Sequence, residues 1–112
     1  MRPQPLAALA MLLAASALTP LALAQGQNAA GQEALYARSL AASCANCHGT
    51  AGRAVQGSTV PALAGLDKAY TVAQMNAFKT GARPATVMHQ ISKGFSDAQV
   101  ELLASYFAAQ KK

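Results

Sequence analysis

Tryptophan is absent from this chain, and its 112 residues include only three tyrosines and three phenylalanines. So few large rings limit the core that the polypeptide can build alone. The 53% hydrophobic fraction does not change this, because an apolar N-terminal stretch inflates it. Acids are also scarce: Glu33, Asp67, Asp97 and Glu101 are the whole complement, and they are scattered. No carboxylate–histidine or serine–histidine constellation is visible, so general acid–base and triad chemistry have little support. Runs of β-branched residues are missing too, which leaves no strand pattern and no βαβ framework. The nine basic residues form no run longer than Lys111-Lys112, and aromatics do not interleave with them. That is not the footprint of a nucleic-acid binder.

The N-terminus shows a three-part pattern. Met1-Arg2 supplies a positive charge, Leu6 to Leu18 is a nearly unbroken apolar run, and Ala22-Leu23-Ala24 is a small-x-small triplet before Gln25. This layout predicts a secretory signal peptide over residues 1–24, cleaved after Ala24. An uncleaved anchor is the alternative, since the run is almost long enough to span a bilayer. Its alanine content, Pro20 and the cleavage triplet favour the signal peptide. The expectation is therefore an exported, periplasmic protein whose residues 25–112 form a single domain, with no membrane span after cleavage. Loss of Arg2 lowers the net charge from +5 to +4. A charge of that size suits solubility and steering toward an acidic docking face on a partner.

Both cysteines lie in one stretch, Cys44-Ala45-Asn46-Cys47-His48. Two cysteines three apart, followed at once by histidine, form the attachment pattern of a c-type haem. On a helical turn both sulfurs can reach the vinyl groups of one haem, and His48 then places its imidazole beneath the iron. In an oxidising compartment two nearby thiols otherwise become a disulfide or bind a metal. The disulfide reading needs a thioredoxin-like fold, for which strands are lacking. A zinc site needs four ligands, and only His89 and a methionine or acid could join the cysteines. Covalent haem c, one per chain, is the expectation. A domain this small usually needs a staple, and the haem would supply one.

Along the chain, Gln25–Ala30 reads as a frayed N-terminus, and Gly31 to about Cys44 as a helix with Leu35, Tyr36 and Leu40 on its apolar stripe. Gly49–Thr59 reads as loop, and Pro61–Gly65 as a short rigid segment. Asp67 is the expected N-cap of a helix over about Lys68–Lys79, with Val72, Met75 and Phe78 as its stripe and Gly81 as its stop. A short segment follows through Met88, His89 and Ile91 to Gly94. Ser96 and Gln99 predict a capping box before a last helix over about Asp97–Gln110. There Val100, Leu103, Ala104 and Phe107 fall on one face. The fold class expected is all-α.

The position opposite His48 has three candidates: Met75, Met88 and His89. Met88 lies far enough along the chain for the polypeptide to wrap around a haem edge. Met75 sits inside an amphipathic helix, where methionine more often fills core. Met88 is the favoured residue, with His89, Met75 or an open site as alternatives. A thioether opposite an imidazole raises the reduction potential, which suits reversible one-electron transfer.

Several longer segments carry a resemblance: Pro61-Ala62-Leu63-Ala64-Gly65-Leu66, Phe78 through Met88, Ile91-Ser92-Lys93-Gly94-Phe95-Ser96-Asp97, and Ala104-Ser105-Tyr106-Phe107. With the haem motif they resemble the class I c-type cytochromes, in particular the cytochrome subunit of flavocytochrome c sulfide dehydrogenase and the two-haem cytochromes of the c-four type. The resemblance implies helices wrapped around one covalently attached haem, with Met88 as the distal ligand. It also implies a hydrogen bond from His48 to the Pro61 carbonyl, and a crossing of first and last helices in which Leu35 or Tyr36 meets Tyr106 or Phe107. Such relatives often carry two haem domains, whereas this chain has one motif.

Three functional readings follow. The first is a mono-haem carrier shuttling electrons between redox protein partners, with Lys68, Lys79, Arg83 and Lys93 available for steering. The second is the electron-accepting subunit of a sulfur-oxidising enzyme whose flavoprotein subunit is another chain, since nothing here encodes a flavin site. The third is a gas-binding haem, which needs an open iron position. In none does this chain act as an enzyme by itself.

Overall fold

The computed structural model describes residues 19–112, with side chains from residue 28 onward. The leader expected over residues 1–24 therefore lies mostly outside the described residues. The chain divides into two compact units, one ending at Ala34 and one running from Leu35 to Lys112. Five α-helices are described: α1 (Thr19–Ala42), α2 (Ala45–His48), α3 (Lys68–Thr80), α4 (Met88–Ile91) and α5 (Asp97–Ala108). Single 3₁₀ turns occupy Thr50–Gly52 and Ser92–Gly94. Among the described residues there is no strand, in agreement with the all-α expectation.

The N-terminal unit departs from expectation. Gln25–Ala30, read from sequence as frayed, is helical throughout. Leucine, alanine and glutamine are good helix formers, and Pro20 falls in the first turn, where its missing N–H costs nothing. Gly26 and Gly31 are too isolated to stop the helix.

In the second unit α5 is the organising helix. Val100, Leu103, Ala104 and Phe107 are all buried, each within the stripe read from sequence. The Ser96–Gln99 capping box is complete: Gln99 N–H donates to Ser96 Oγ at 3.2 Å and Ser96 N–H to Gln99 Oε1 at 2.9 Å. The crossing with α1 is made differently from the expectation. Leu35 is 64% exposed, whereas Ala37 and Ala41 are buried, and Ala41 packs with Leu103 and Phe107. Leu40, partly buried, packs against the same cluster. Tyr36 does reach α5, but through its hydroxyl, which accepts from Gln99 Nε2 at 2.7 Å. Tyr106 and Phe107 pack edge to face with each other, with ring centroids 5.2 Å apart.

Helix α3 begins and ends where its local signals place it. Asp67 accepts from Tyr70 N–H at 2.8 Å, and Gly81 closes the helix in the left-handed conformation. The helix packs along α5. Its one buried residue is Thr71, while Val72, Met75 and Phe78 are only half-buried. The Thr71 hydroxyl is satisfied within the helix by the Asp67 carbonyl at 3.0 Å, which makes its burial tolerable. Lys68–Glu101 and Lys79–Asp97, each at 3.0 Å, connect α3 to α5. Exposed pairs of this kind contribute about 1 kcal/mol or less each.

Candidate functional site

The cysteine–histidine stretch forms a single helical turn directly after α1. Cys44 N–H donates to Ala41 O at 3.1 Å, and His48 N–H to Cys44 O at 2.9 Å. Cys44 packs against the Ala41–Leu103–Phe107 cluster and is half-buried, while Cys47 is exposed. Neither sulfur is in a disulfide. Burial raises the Cys44 thiol above its ordinary range, with Ser43 Oγ, 4.0 Å away, acting weakly in the opposite direction. Redox-active dithiols need the reverse, a depressed thiol. The Cys44 environment therefore lacks the depressed thiol of a redox-active dithiol.

His48 is only 8% exposed, and its Nδ1 lies 2.7 Å from Pro61 O. A carbonyl can only accept, so Nδ1 carries the proton and donates to it. In the neutral ring this leaves the Nε2 lone pair unengaged and the imidazole orientation fixed, the state a metal ligand requires. The contact that the resemblance implied is therefore present.

Pro61 reaches this place through two glycines. At Gly49 (φ +82°) a Cβ would sit 1.8 Å from Arg53 O, so the chain can turn immediately after His48 only without a side chain. At Gly52 (φ +76°) a Cβ would meet Phe107 Cδ1 at 2.8 Å and Ala64 N at 2.9 Å. The Gly52 carbonyl accepts from Leu63 N–H at 2.8 Å and from Ala64 N–H at 3.0 Å, and Gly65 N–H donates to Phe107 O at 2.8 Å. These bonds hold the Pro61–Leu66 segment between the turn after His48 and the end of α5. Sequence reading treated Gly49–Thr59 as undifferentiated loop and missed the role of Gly52. Among three closely spaced glycines, nothing local marks the one that touches α5.

Of the remaining candidates, Met88 is the first residue of α4 and is half-buried, as are His89 beside it and Met75 within α3. The α2 turn packs against the Thr50–Gly52 turn, whereas α4 packs against α3. Val55, Tyr70, Val87 and Ile91 are between 44% and 75% exposed, a considerable apolar surface for so small a domain. Among the described residues no three His, Cys, Asp or Glu side chains come together as a metal cluster. The donor set that does exist fits a haem: two free thiols three apart on one turn, an imidazole with one nitrogen fixed, and uncovered apolar side chains.

The charged candidates for steering divide unequally. Lys68 and Lys79 are paired with acids of α5, and Arg83 stacks 4.7 Å above the Phe78 ring and donates to Gln74. Lys93 alone of the four has no such partner among the described residues.

Comparison with known proteins agrees with this chemistry. The family model described as cytochrome c matches residues 28–111. The cytochrome subunit of sulfide dehydrogenase from Chlorobaculum tepidum is 37% identical over 73 residues, covering 65% of this chain and 64% of that protein. A thiosulfate dehydrogenase electron acceptor from Thiomonas intermedia is 42% identical over 71 residues, 63% of this chain and 33% of that protein. Cytochrome c4 from Pseudomonas aeruginosa is 38% identical over 103 residues, 92% of this chain and 48% of that protein. The chain thus spans less than two-thirds of the length of each of these relatives.

Proposed function

Because this chain belongs to the cytochrome c family, we propose that it is an exported mono-haem electron carrier whose iron is held between His48 and Met88. The family binds haem c covalently, and Cys44 and Cys47 fit its attachment motif, one haem per motif. When bound, the haem supplies reversible one-electron transfer. What remains for the protein is to fix ligands, exclude water and present a docking surface.

The observation that carries this reading is the 2.7 Å contact between His48 Nδ1 and Pro61 O. A hydrogen bond from the far nitrogen holds the ring, fixes the proton on Nδ1 and strengthens the Nε2 lone pair as a metal ligand. Met88 as the second ligand is supported by helix geometry. Met88 and Ile91 are three residues apart on one face of α4, and both Ile91 and the preceding Val87 present exposed apolar surface. His89 falls on the adjoining face. Redox partners meet through small, weak interfaces. With Lys68, Lys79 and Arg83 engaged internally, steering toward an acidic partner falls mainly to Lys93 and the terminal lysines.

Optical spectra of the oxidised and reduced haem-loaded protein test this reading. A sulfur-to-iron band in the oxidised form that disappears in Met88→Ala, together with a lowered reduction potential, is the expected result. An unchanged spectrum in Met88→Ala would transfer the role to Met75 or His89. Ready carbon monoxide binding by the reduced wild-type protein would point to an open iron site instead.

The names of the relatives favour a second reading, in which the chain accepts electrons as a subunit of a sulfur-compound dehydrogenase. Co-purification of a flavin-bearing chain from the native source separates that subunit from a free carrier.

A further inference from the structure

Two polar atoms next to the proposed ligand are buried without any hydrogen-bond partner among the described residues: His89 Nδ1 and Ser92 Oγ. Ser92 is 0% exposed. A buried polar atom left unpaired is costly, and native proteins satisfy nearly all such groups with protein or ordered water. The two residues are three apart in the continuous segment formed by α4 and the 3₁₀ turn after it, so they share a face. Ser92 is likewise about one turn beyond Met88, four residues on. Both α4 and the Ser92–Gly94 turn pack against α3, and Ser92 is fully enclosed, whereas Ile91 is 44% exposed.

We infer that one internal water molecule bridges His89 Nδ1 and Ser92 Oγ beneath the segment that begins with Met88. A water is chemically suited to the pair. It can donate to an unprotonated Nδ1 while accepting from the serine hydroxyl, or do the reverse with the other tautomer. Buried waters commonly join polar groups that the chain cannot bring together directly. The bridge ties the two ends of this turn to each other and so stiffens the backbone that presents Met88. Ser92 is thereby a positioning residue, acting on the ligand through the turn. The water site stands independently of the ligand assignment, whereas the positioning role rests on Met88 being the ligand.

The test is a high-resolution crystal structure of the haem-loaded protein, paired with a Ser92→Ala variant. A single solvent peak within hydrogen-bonding distance of both His89 Nδ1 and Ser92 Oγ is expected. No peak, or one reaching only one of the two atoms, overturns the site. The substitution should lower the folding equilibrium constant roughly tenfold by leaving the site half-satisfied. A variant as stable as wild type, or more so, overturns the bridge, because deleting an unpaired hydroxyl is neutral or stabilising. Added imidazole should displace the thioether from the oxidised variant several-fold more readily than from wild type, and equal displacement overturns the positioning role. Absence of a sulfur-to-iron band in wild type would overturn Met88 ligation and with it that role, while the solvent peak would still decide the water.

Discussion

Replacing Gly52 by alanine tests how the site is held, and the size of its effect can be worked out atom by atom. Gly52 has φ +76°, a region that costs an L-residue about 1–2 kcal/mol. The added methyl would lie 2.8 Å from Phe107 Cδ1, 2.9 Å from Leu63 Cβ and 2.9 Å from Ala64 N. The last of these is backbone and cannot rotate away. Overpacking of this kind adds about 1–3 kcal/mol. Any retreat of Ala64 also stretches the two bonds accepted by the Gly52 carbonyl. Destabilisation of about 2–5 kcal/mol is expected, a large share of the stability of a small domain.

Gly57 is an internal control. Its φ of +81° is nearly the same, but a Cβ there would have nothing within 4 Å. Gly57→Ala should therefore cost only the conformational term, about 1–2 kcal/mol. Urea denaturation of the two haem-loaded variants, followed by haem absorbance and by circular dichroism, gives the comparison directly. The structure further requires that Gly52→Ala, unlike Gly57→Ala, disturb the His48–Pro61 contact and so shift the reduction potential. Equal destabilisation by the two substitutions would refute the claim that the turn after His48 is locked against α5.

Other consequences can be measured alongside. Ala41→Leu should destabilise the protein by about 1–3 kcal/mol by overfilling the contact with Leu103 and Phe107, while Leu35→Ala at its exposed position should change the melting temperature little. Asp67→Ala and Ser96→Ala remove side-chain caps of α3 and α5 and should each cost about 1 kcal/mol, lowering the melting temperature by roughly 4–8 °C in so small a domain. Electron transfer with an acidic partner should slow as salt rises, and Lys93→Gln should weaken this dependence more than Lys68→Gln, whose cation is already paired with Glu101. Stopped-flow rates across an ionic-strength series would show it, and salt-insensitive rates would remove electrostatic steering from the account.

Much of this protein could be read without coordinates, wherever the interaction responsible spans only a few residues. A cap needs one side chain and a backbone N–H two or three positions on, so Asp67, Gly81 and the Ser96–Gln99 box were legible as written. The haem motif is legible for the same reason, since covalent spacing on one helical turn is local chemistry. The stripe of α5 was equally clear because the whole face is apolar. Pro61 is a different case: residue patterns alone did not single it out, and only a family likeness pointed to its carbonyl.

Tertiary structure decided what depends on residues far apart in the chain. Ala41 and Leu40, rather than Leu35, pack with Leu103 and Phe107 of α5, because which side of α1 is covered is set by the partner helix and not by the hydrophobicity of α1 alone. That Gly52 tolerates no side chain, as Gly49 does not, depends in part on Phe107, which lies 55 residues beyond Gly52 in the numbering. Nothing local marks Ser92 as buried; its complete enclosure leaves its hydroxyl without a partner among the described residues. Local sequence therefore determined both ends of α3, the start of α5 and the attachment chemistry. Packing determined how His48 is held and what surrounds the turn that carries Met88, since burial belongs to the assembled elements and to no single segment.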